Sequence, residues 1–323
     1  MTDVTEFQGV YPILYSLFDS RGQLDREAMR RQVEGCIEYG ADGIATLGLA
    51  TEVQSLTSRE RRLLVEWNAE DIGGRVPLAV TIFEPSAEEQ VDAVRHAADA
   101  GASWVILQPP ATVATPDDLK RAFSHVLDAS PLPSAIQNAP QFLGLGLSPA
   151  EITELCHHHP QLKLIKQEVS AVETAELVQS VAGKLSVFTG RGGLELVDGL
   201  RAGVHGLIPA PEYADALIRI WKLHHDGSIE EAERVYRDVL PLAVFIMQSI
   251  SSLTCYGKLL LCLRLGIAYH QRDPALIPTA FGIRTLLSHA RHAGIPLPPD
   301  SGPDAMLNAN GRGVRASDRD RDF

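Results

Sequence analysis

Short apolar runs alternate with longer amphipathic stretches along most of the chain. The apolar runs are eight: GVYPILYSLF, DGIATLG, VPLAVTIF, SWVILQPP, LPSAIQNAP, LKLIKQE, KLSVFTG and VHGLIPA. Each is brief, rich in Val, Ile and Leu, and bounded by turn residues. Strands buried on both faces of a parallel sheet read this way. The stretches between them carry helical spacing: Met29, Val33, Cys36, Ile37 and Gly40 keep the rhythm of one buried stripe. Thr57 with Glu60, Ser86 with Glu89, Ser148 with Glu151, and Ser170 with Glu173 spell S/T-x-x-E at helix starts. In that box the hydroxyl caps a free amide and the carboxylate reaches back. Pro116 and Pro149 stand where a helix tolerates proline, at its first position.

Strand-then-helix units repeated in this way predict an α/β fold, a (β/α)8 TIM barrel, over residues 8–226. A doubly wound sheet is the rival; it commonly carries a glycine-rich phosphate loop after its first strand. Here that place reads FDSRGQLD, which favours the barrel. From 227 to 297 the pattern is helical with no strand signal, which predicts a C-terminal helical extension. Residues 298–323 are polar, rich in Gly and Asp and without periodicity, so a disordered tail is expected there.

Charge and composition narrow the partners. The chain has 323 residues, an apolar share of 45% and a net charge of −12. That balance argues against nucleic acid and anionic membranes, which favour basic surfaces. No apolar run reaches the ~18 residues of a membrane span. MTDVTEFQGV lacks the charged-then-apolar form of a signal peptide. Cys36, Cys156, Cys255 and Cys262 form neither a CxxC pair nor a zinc-like spacing, so free thiols in a reducing, cytoplasmic compartment are expected. No metal or cofactor is implied. His157–His159 end a helix before Pro160, where cationic side chains suit the helix terminus.

LKLIKQE departs from the apolar rule. Alternate side chains of a barrel strand point inward, so Leu162, Leu164, Lys166 and Glu168 share one face. Lys166 and Glu168 then stand at the strand's C-terminal end, where barrel active sites lie. Two readings follow. One is a buried structural ion pair. The other is a carbonyl-attacking lysine that forms a Schiff base, since burial favours a neutral amine, with Glu168 moving protons at the neighbouring carbon. Other strand ends supply Gly48, Ala50, Thr51 and Glu52 after the second run, and Gln137 and Asn138 after the fifth. Arg191 follows the seventh, and Tyr15 and Ser16 follow the first. All are candidate substrate-binding residues except Gln137, which stands with Lys166 and Glu168 as a catalytic candidate.

The residues GVYPILYSLFDSRGQLD, GLATE, NAP, the IK at Lys166, and AGVHGLIP resemble the dihydrodipicolinate synthase / N-acetylneuraminate lyase family, from about Gly9 to Pro298. The resemblance implies that Lys166 is the Schiff-base lysine for a 2-oxo acid, in a homo-dimer or homo-tetramer. It also implies that the loop Gly48–Glu52 receives the acid's carboxylate. The chain departs from the family at several points. Both threonines of the G-T-T-G-E loop are replaced, by Leu49 and Ala50. The family's proton-relaying tyrosines are Gln137 and Ala111 here, and an amide cannot ionise. The arginine that clamps a second substrate is also missing; APQFLG offers Gln141 and Phe142. These departures argue against dihydrodipicolinate synthase activity. IQNAP, KQE and TE look closer to the branch that dehydrates 2-keto-3-deoxy-L-arabonate. In such a site Lys166 would form the imine, Glu168 would take the C3 proton and the C4 hydroxyl would leave, with Thr51 and Glu52 orienting the substrate. The alternatives are a class I pyruvate-type aldolase, a dihydrodipicolinate synthase-like condensation, or a barrel that binds a 2-oxo acid without turning it over.

Overall fold

The computed structural model describes residues 7–299. Eight parallel strands form one sheet: β1 (Gly9–Val10), β2 (Ile44–Thr46), β3 (Leu78–Ile82), β4 (Trp104–Leu107), β5 (Ser134–Asn138), β6 (Leu162–Gln167), β7 (Ser186–Thr189) and β8 (Gly206–Leu207). Neighbours in sequence are neighbours in space, and β8 pairs with β1. The ring closes between the first two strands through a parallel bridge from Ile13 to Ala45. There Leu14 N–H donates to Ala45 at 2.9 Å and Ala45 N–H to Pro12 at 3.0 Å. This is an α/β barrel.

The first apolar run yields less ladder than its length predicts. Regular strand geometry is confined to Gly9–Val10, yet the backbone goes on bonding β8, with Tyr11 N–H donating to Leu207 at 2.9 Å and Ile13 N–H to Pro209 at 2.7 Å, while Pro12, which has no N–H, faces β2 and only accepts there, from Ala45. Tyr11, Trp104 and Phe188 come from around β1, β4 and β7, which are not adjacent, so their contacts cross the barrel interior. The ring centroids lie 5.5, 5.5 and 5.8 Å apart, a packed core and not a channel.

Local chemistry sets the helices. Thr57, Ser148 and Ser170 complete reciprocal capping boxes. Ser86 differs: its hydroxyl accepts from Glu89 N–H, but Glu89 answers the hydroxyl and not the backbone. Each cap contributes about 1 kcal/mol. Met29, Val33 and Cys36 are buried, as their spacing requires. All four cysteines are free thiols.

After β8 come the helices Ala214–His225 and Ile229–Ile246, then the stretch Ile250–Leu265, which contains a π-helical turn at Leu253–Gly257, and finally Ala280–His292. Residues 267–279, read as helical from sequence, are irregular between Gly266 and Thr279. Ile229–Ile246 turns into Ile250–Leu265 through 104°, which swings Met247, Ile250 and Leu253 over the barrel mouth. Among the described residues no single helix is long and apolar enough to cross a membrane. The tail expected to be disordered lies outside the described residues from 300 onward.

Candidate active site

β6 delivers the charged pair to the barrel's C-terminal rim. Lys166 is in register with Gln137 on β5 and with Phe188 on β7. Glu168 extends the ladder by one bond, its N–H donating to Asn138 at 2.9 Å. Lys166 Nζ lies 3.2 Å from Glu168 Oε2, with only 4% and 5% of the two residues exposed. Desolvated charges at such a place need partners, and Glu168 has several. Gln137 donates a very short bond to Oε2, and Arg191 N–H donates to Oε1 at 3.3 Å. Gly190 allows this packing: a Cβ there would stand 2.2 Å from Glu168 Oε1.

A further residue completes the network. Gln108 Nε2 donates to Gln137 Oε1 at 2.8 Å, and Gln90 donates to the Gln108 carbonyl at 3.0 Å. Gln108 was not among the candidates. The available signal was its place one step beyond the Leu107–Ile136 pair, beside Gln137.

Lys166, Glu168 and Arg191 face a cavity at the barrel mouth together with Leu49, Ala50 and Phe142. Arg191 sits at φ 53°, a left-handed conformation uncommon for any residue but glycine, and its guanidinium pairs with Glu195 at 3.1 Å. Burial raises the Glu195 carboxyl, and Arg191 opposes that rise.

The structure brings together Lys166, Glu168, Gln137, Ala50 and Arg191, while Gly48, Thr51, Glu52, Asn138, Ser16 and Tyr15 do not line the cavity. Gly48 faces Ile13, whose Cδ1 would stand 2.3 Å from an added Cβ, so close side-chain packing accounts for the glycine. Thr51 Oγ1 donates to Leu14 O and Ser16 Oγ to Thr51 O, both at 2.6 Å, which ties the loop to the first strand. Thr51 and Glu52, read as orienting the substrate, do not line the cavity. Glu52, at φ 56°, instead makes a very short ion pair with Lys258, a fully buried lysine absent from the candidates. Asn138 bonds both backbone groups of Leu147, at 3.0 and 2.9 Å, and so holds the loop that carries Phe142. Tyr15, a substrate-binding candidate, does not line the cavity either. It is fully buried, and its hydroxyl donates to Glu212 Oε2 at 2.8 Å, away from the cavity. Burial raises that phenol well above its ordinary value. Among the described residues no cluster of His, Cys, Asp and Glu could hold a metal ion.

A parallel barrel whose strand ends converge on a buried amine and carboxylate is an enzyme scaffold with its chemistry at the carboxyl rim. The chain belongs to the dihydrodipicolinate synthetase family, whose model matches residues 6–279. It is 27% identical over 255 residues to a protein of Escherichia coli K12 named as a probable 2-dehydro-3-deoxy-D-pentonate aldolase, covering 76% of this chain and 83% of that one. It is also 27% identical over 242 residues to the L-2-keto-3-deoxyarabonate dehydratase of Azospirillum brasilense, covering 73% and 78%. Among solved structures, YagE of E. coli K12, crystallised with pyruvate, superposes with a TM-score of 0.84 at 23% identity over 90% of this chain and 100% of that one. That likeness shows the fold.

Proposed function

We propose that the protein is a class I lyase of 2-oxo acids that works through a Schiff base on Lys166 and cleaves the bond from C4 to oxygen. The observation that carries this reading is the buried contact of Lys166 with Glu168 at the edge of the cavity, 3.2 Å between Nζ and Oε2. The lysine amine adds to the C2 carbonyl and water leaves, giving the imine. C3 is two bonds from the imine nitrogen, so the carboxylate beside Nζ is within reach of its proton. Glu168 takes that proton and the pair of electrons enters the C2–C3 bond as an enamine. Return of the electrons expels the C4 hydroxyl, which leaves as water with the proton that Glu168 hands back. Water then hydrolyses the imine and frees Lys166. One carboxylate thus serves as base and then as acid, as general acid–base catalysis permits.

The A. brasilense relative, a dehydratase by name, supports the carbon–oxygen reading. So does Gln137, which cannot relay a proton where the family places a tyrosine. The substrate's carboxylate would be received by the backbone of the Gly48–Glu52 loop and by Arg191. The E. coli relative named as an aldolase favours a second reading, carbon–carbon cleavage with Glu168 taking the C4 hydroxyl proton. Assembly as a homo-dimer or homo-tetramer belongs to the same proposal.

Borohydride trapping with pyruvate and 2-keto-3-deoxy sugar acids, read by peptide mass spectrometry, tests the reading. The expected result is a mass increment on the Lys166 peptide that Lys166→Ala abolishes. No increment at Lys166 under any condition would refute the imine mechanism. Release of an aldehyde and pyruvate in place of water would move the assignment to the aldolase.

A further inference from the structure

The cavity divides by chemistry. Its charged groups, Lys166, Glu168 and Arg191, stand together on β6 and the turn after β7. Beyond them the walls are Phe142, Ile208, Ala210, Met247, Ile250 and Leu253, with no polar side chain other than a thioether. Three backbone groups on that side are already engaged. The Gly192 carbonyl accepts Tyr213 OH at 2.8 Å, the Leu253 carbonyl accepts the Lys258 N–H of its own helix, and Met247 N–H donates to Ala243 at 2.8 Å. A hydroxyl entering this part of the cavity gives up its water and finds little to replace it.

We propose that the substrate's tail beyond C4 is apolar, an alkyl or aryl group, and not a hydroxylated sugar chain. The proposal rests on the Schiff-base reading, because it takes Lys166 and Glu168 to be occupied at C2 and C3 and so fixes which end of the acid meets the apolar wall. With the carboxylate at Arg191 and the Gly48–Glu52 loop, the three charged groups are spent on the first three carbons. Everything after the bond that breaks lies against Met247, Ile250 and Leu253. An apolar pocket discriminates by fit: one methylene is worth about 10–200-fold. Each desolvated hydroxyl that finds no partner costs the polar competitor in the same way.

The test pairs 4-hydroxy-2-oxohexanoate with 4,5-dihydroxy-2-oxopentanoate, which differ by a terminal methyl in place of a hydroxyl, and adds 4-hydroxy-4-phenyl-2-oxobutanoate. Two quantities are read on the full chain: kcat/KM for water release, and the acid concentration giving half-maximal borohydride trapping at Lys166. The ethyl and phenyl acids are expected to exceed the dihydroxy acid at least tenfold by both. Ile250→Thr, which places a hydroxyl on the wall, is expected to narrow the ratio by improving the dihydroxy acid. Leu253→Asn, with the same expected effect from the next turn, guards against misfolding of either variant. Trapping of pyruvate together with equal, inverted or absent trapping of the tailed acids overturns this inference alone. Failure to trap pyruvate or any acid at Lys166 overturns the Schiff-base reading and this inference with it.

Discussion

Gln108 Nε2 donates to Gln137 Oε1 at 2.8 Å, and that bond decides which end of Gln137 meets Glu168. With its oxygen occupied, Gln137 can offer only its NH2 to the carboxylate, and it does. Where the resemblance implies a tyrosine, the chain has a donor that holds the carboxylate without exchanging a proton with it. Gln108 is therefore a positioning residue for the proposed base. Gln108→Glu keeps the shape and loses the donor; Gln108→Leu loses both polar ends. Both should lower kcat about tenfold or more, since a lost bond to a buried polar group is worth about 1–3 kcal/mol. KM and the extent of pyruvate trapping should stay within about twofold, because neither substitution touches Lys166 or the carboxylate-binding loop. Steady-state kinetics beside the trapping assay would check this. A fall in trapping matching the fall in kcat would mean that Gln108 only supports the fold.

Glu168 permits a sharper separation of steps. Imine formation needs the amine of Lys166, whereas proton loss at C3 needs a base beside it. Glu168→Gln should still trap pyruvate on Lys166. Exchange of the pyruvate methyl protons for deuterium, followed by NMR, should drop about 10²–10⁴-fold, the usual contribution of a positioned general base. Unchanged exchange would remove Glu168 from its assigned role.

How much of this was legible depended on distance along the chain. The period of a strand put Lys166 and Glu168 on one face, and the alternation of strand and helix signals specified the barrel. What failed were features that need a partner from elsewhere. The first run looked like one long strand because its side chains are apolar throughout, while regular pairing is confined to Gly9–Val10 and Pro12 has no N–H to offer β2. Tyr15 looked available to the site until its partner, 197 residues away at Glu212, came into view. Glu52 was read as a substrate ligand because Lys258, 206 residues on, has no local mark of its function. Gln108 passed as the exit of a strand because only strand register reveals that it abuts Gln137.

Lys258 makes a prediction about stability and binding together. It is fully buried, pairs with Glu52 and lies 5.2 Å from the Phe18 ring. Glu52 ends the loop that presents Leu49 and Ala50 to the cavity. Removing one partner of a buried pair leaves the other charge uncompensated, at about 3–5 kcal/mol, whereas replacing both is far milder. Lys258→Met should therefore lower the urea midpoint strongly, and Lys258→Met with Glu52→Gln should recover most of the loss. In the double variant the loop keeps its Thr51 and Ser16 bonds to the first strand but loses its tie to Lys258, so the pyruvate concentration for half-maximal trapping should rise several-fold. If the double variant is no more stable than the single, the pair does not carry the energy assigned to it.

Glu212 sets a pH dependence whose sign is fixed by its burial. The carboxyl is fully buried; Oε2 accepts from Tyr15, and Oε1 has no partner among the described residues. Burial pushes the carboxyl from 4.5 up to about 7, against smaller opposing effects of a backbone bond, the Tyr15 hydroxyl and Arg264. In the unfolded chain the group ionises near 4.5. Between that value and about 7 the folded protein holds a proton that the unfolded chain has released, so stability falls as pH rises through this window. The contribution is fully present below 4.5 and is lost once pH passes about 7, a difference of about 3 kcal/mol for the gap between the two values. Glu212→Gln has no proton to release, so its stability should lack this slope. Urea unfolding of both proteins at pH 5, 6, 7 and 8 gives the comparison: relative to Glu212→Gln, the natural chain should lose most of the difference between pH 5 and 7 and little beyond. Parallel curves across that range would mean that Glu212 ionises alike in the folded and unfolded chains, through water or a cation reaching Oε1.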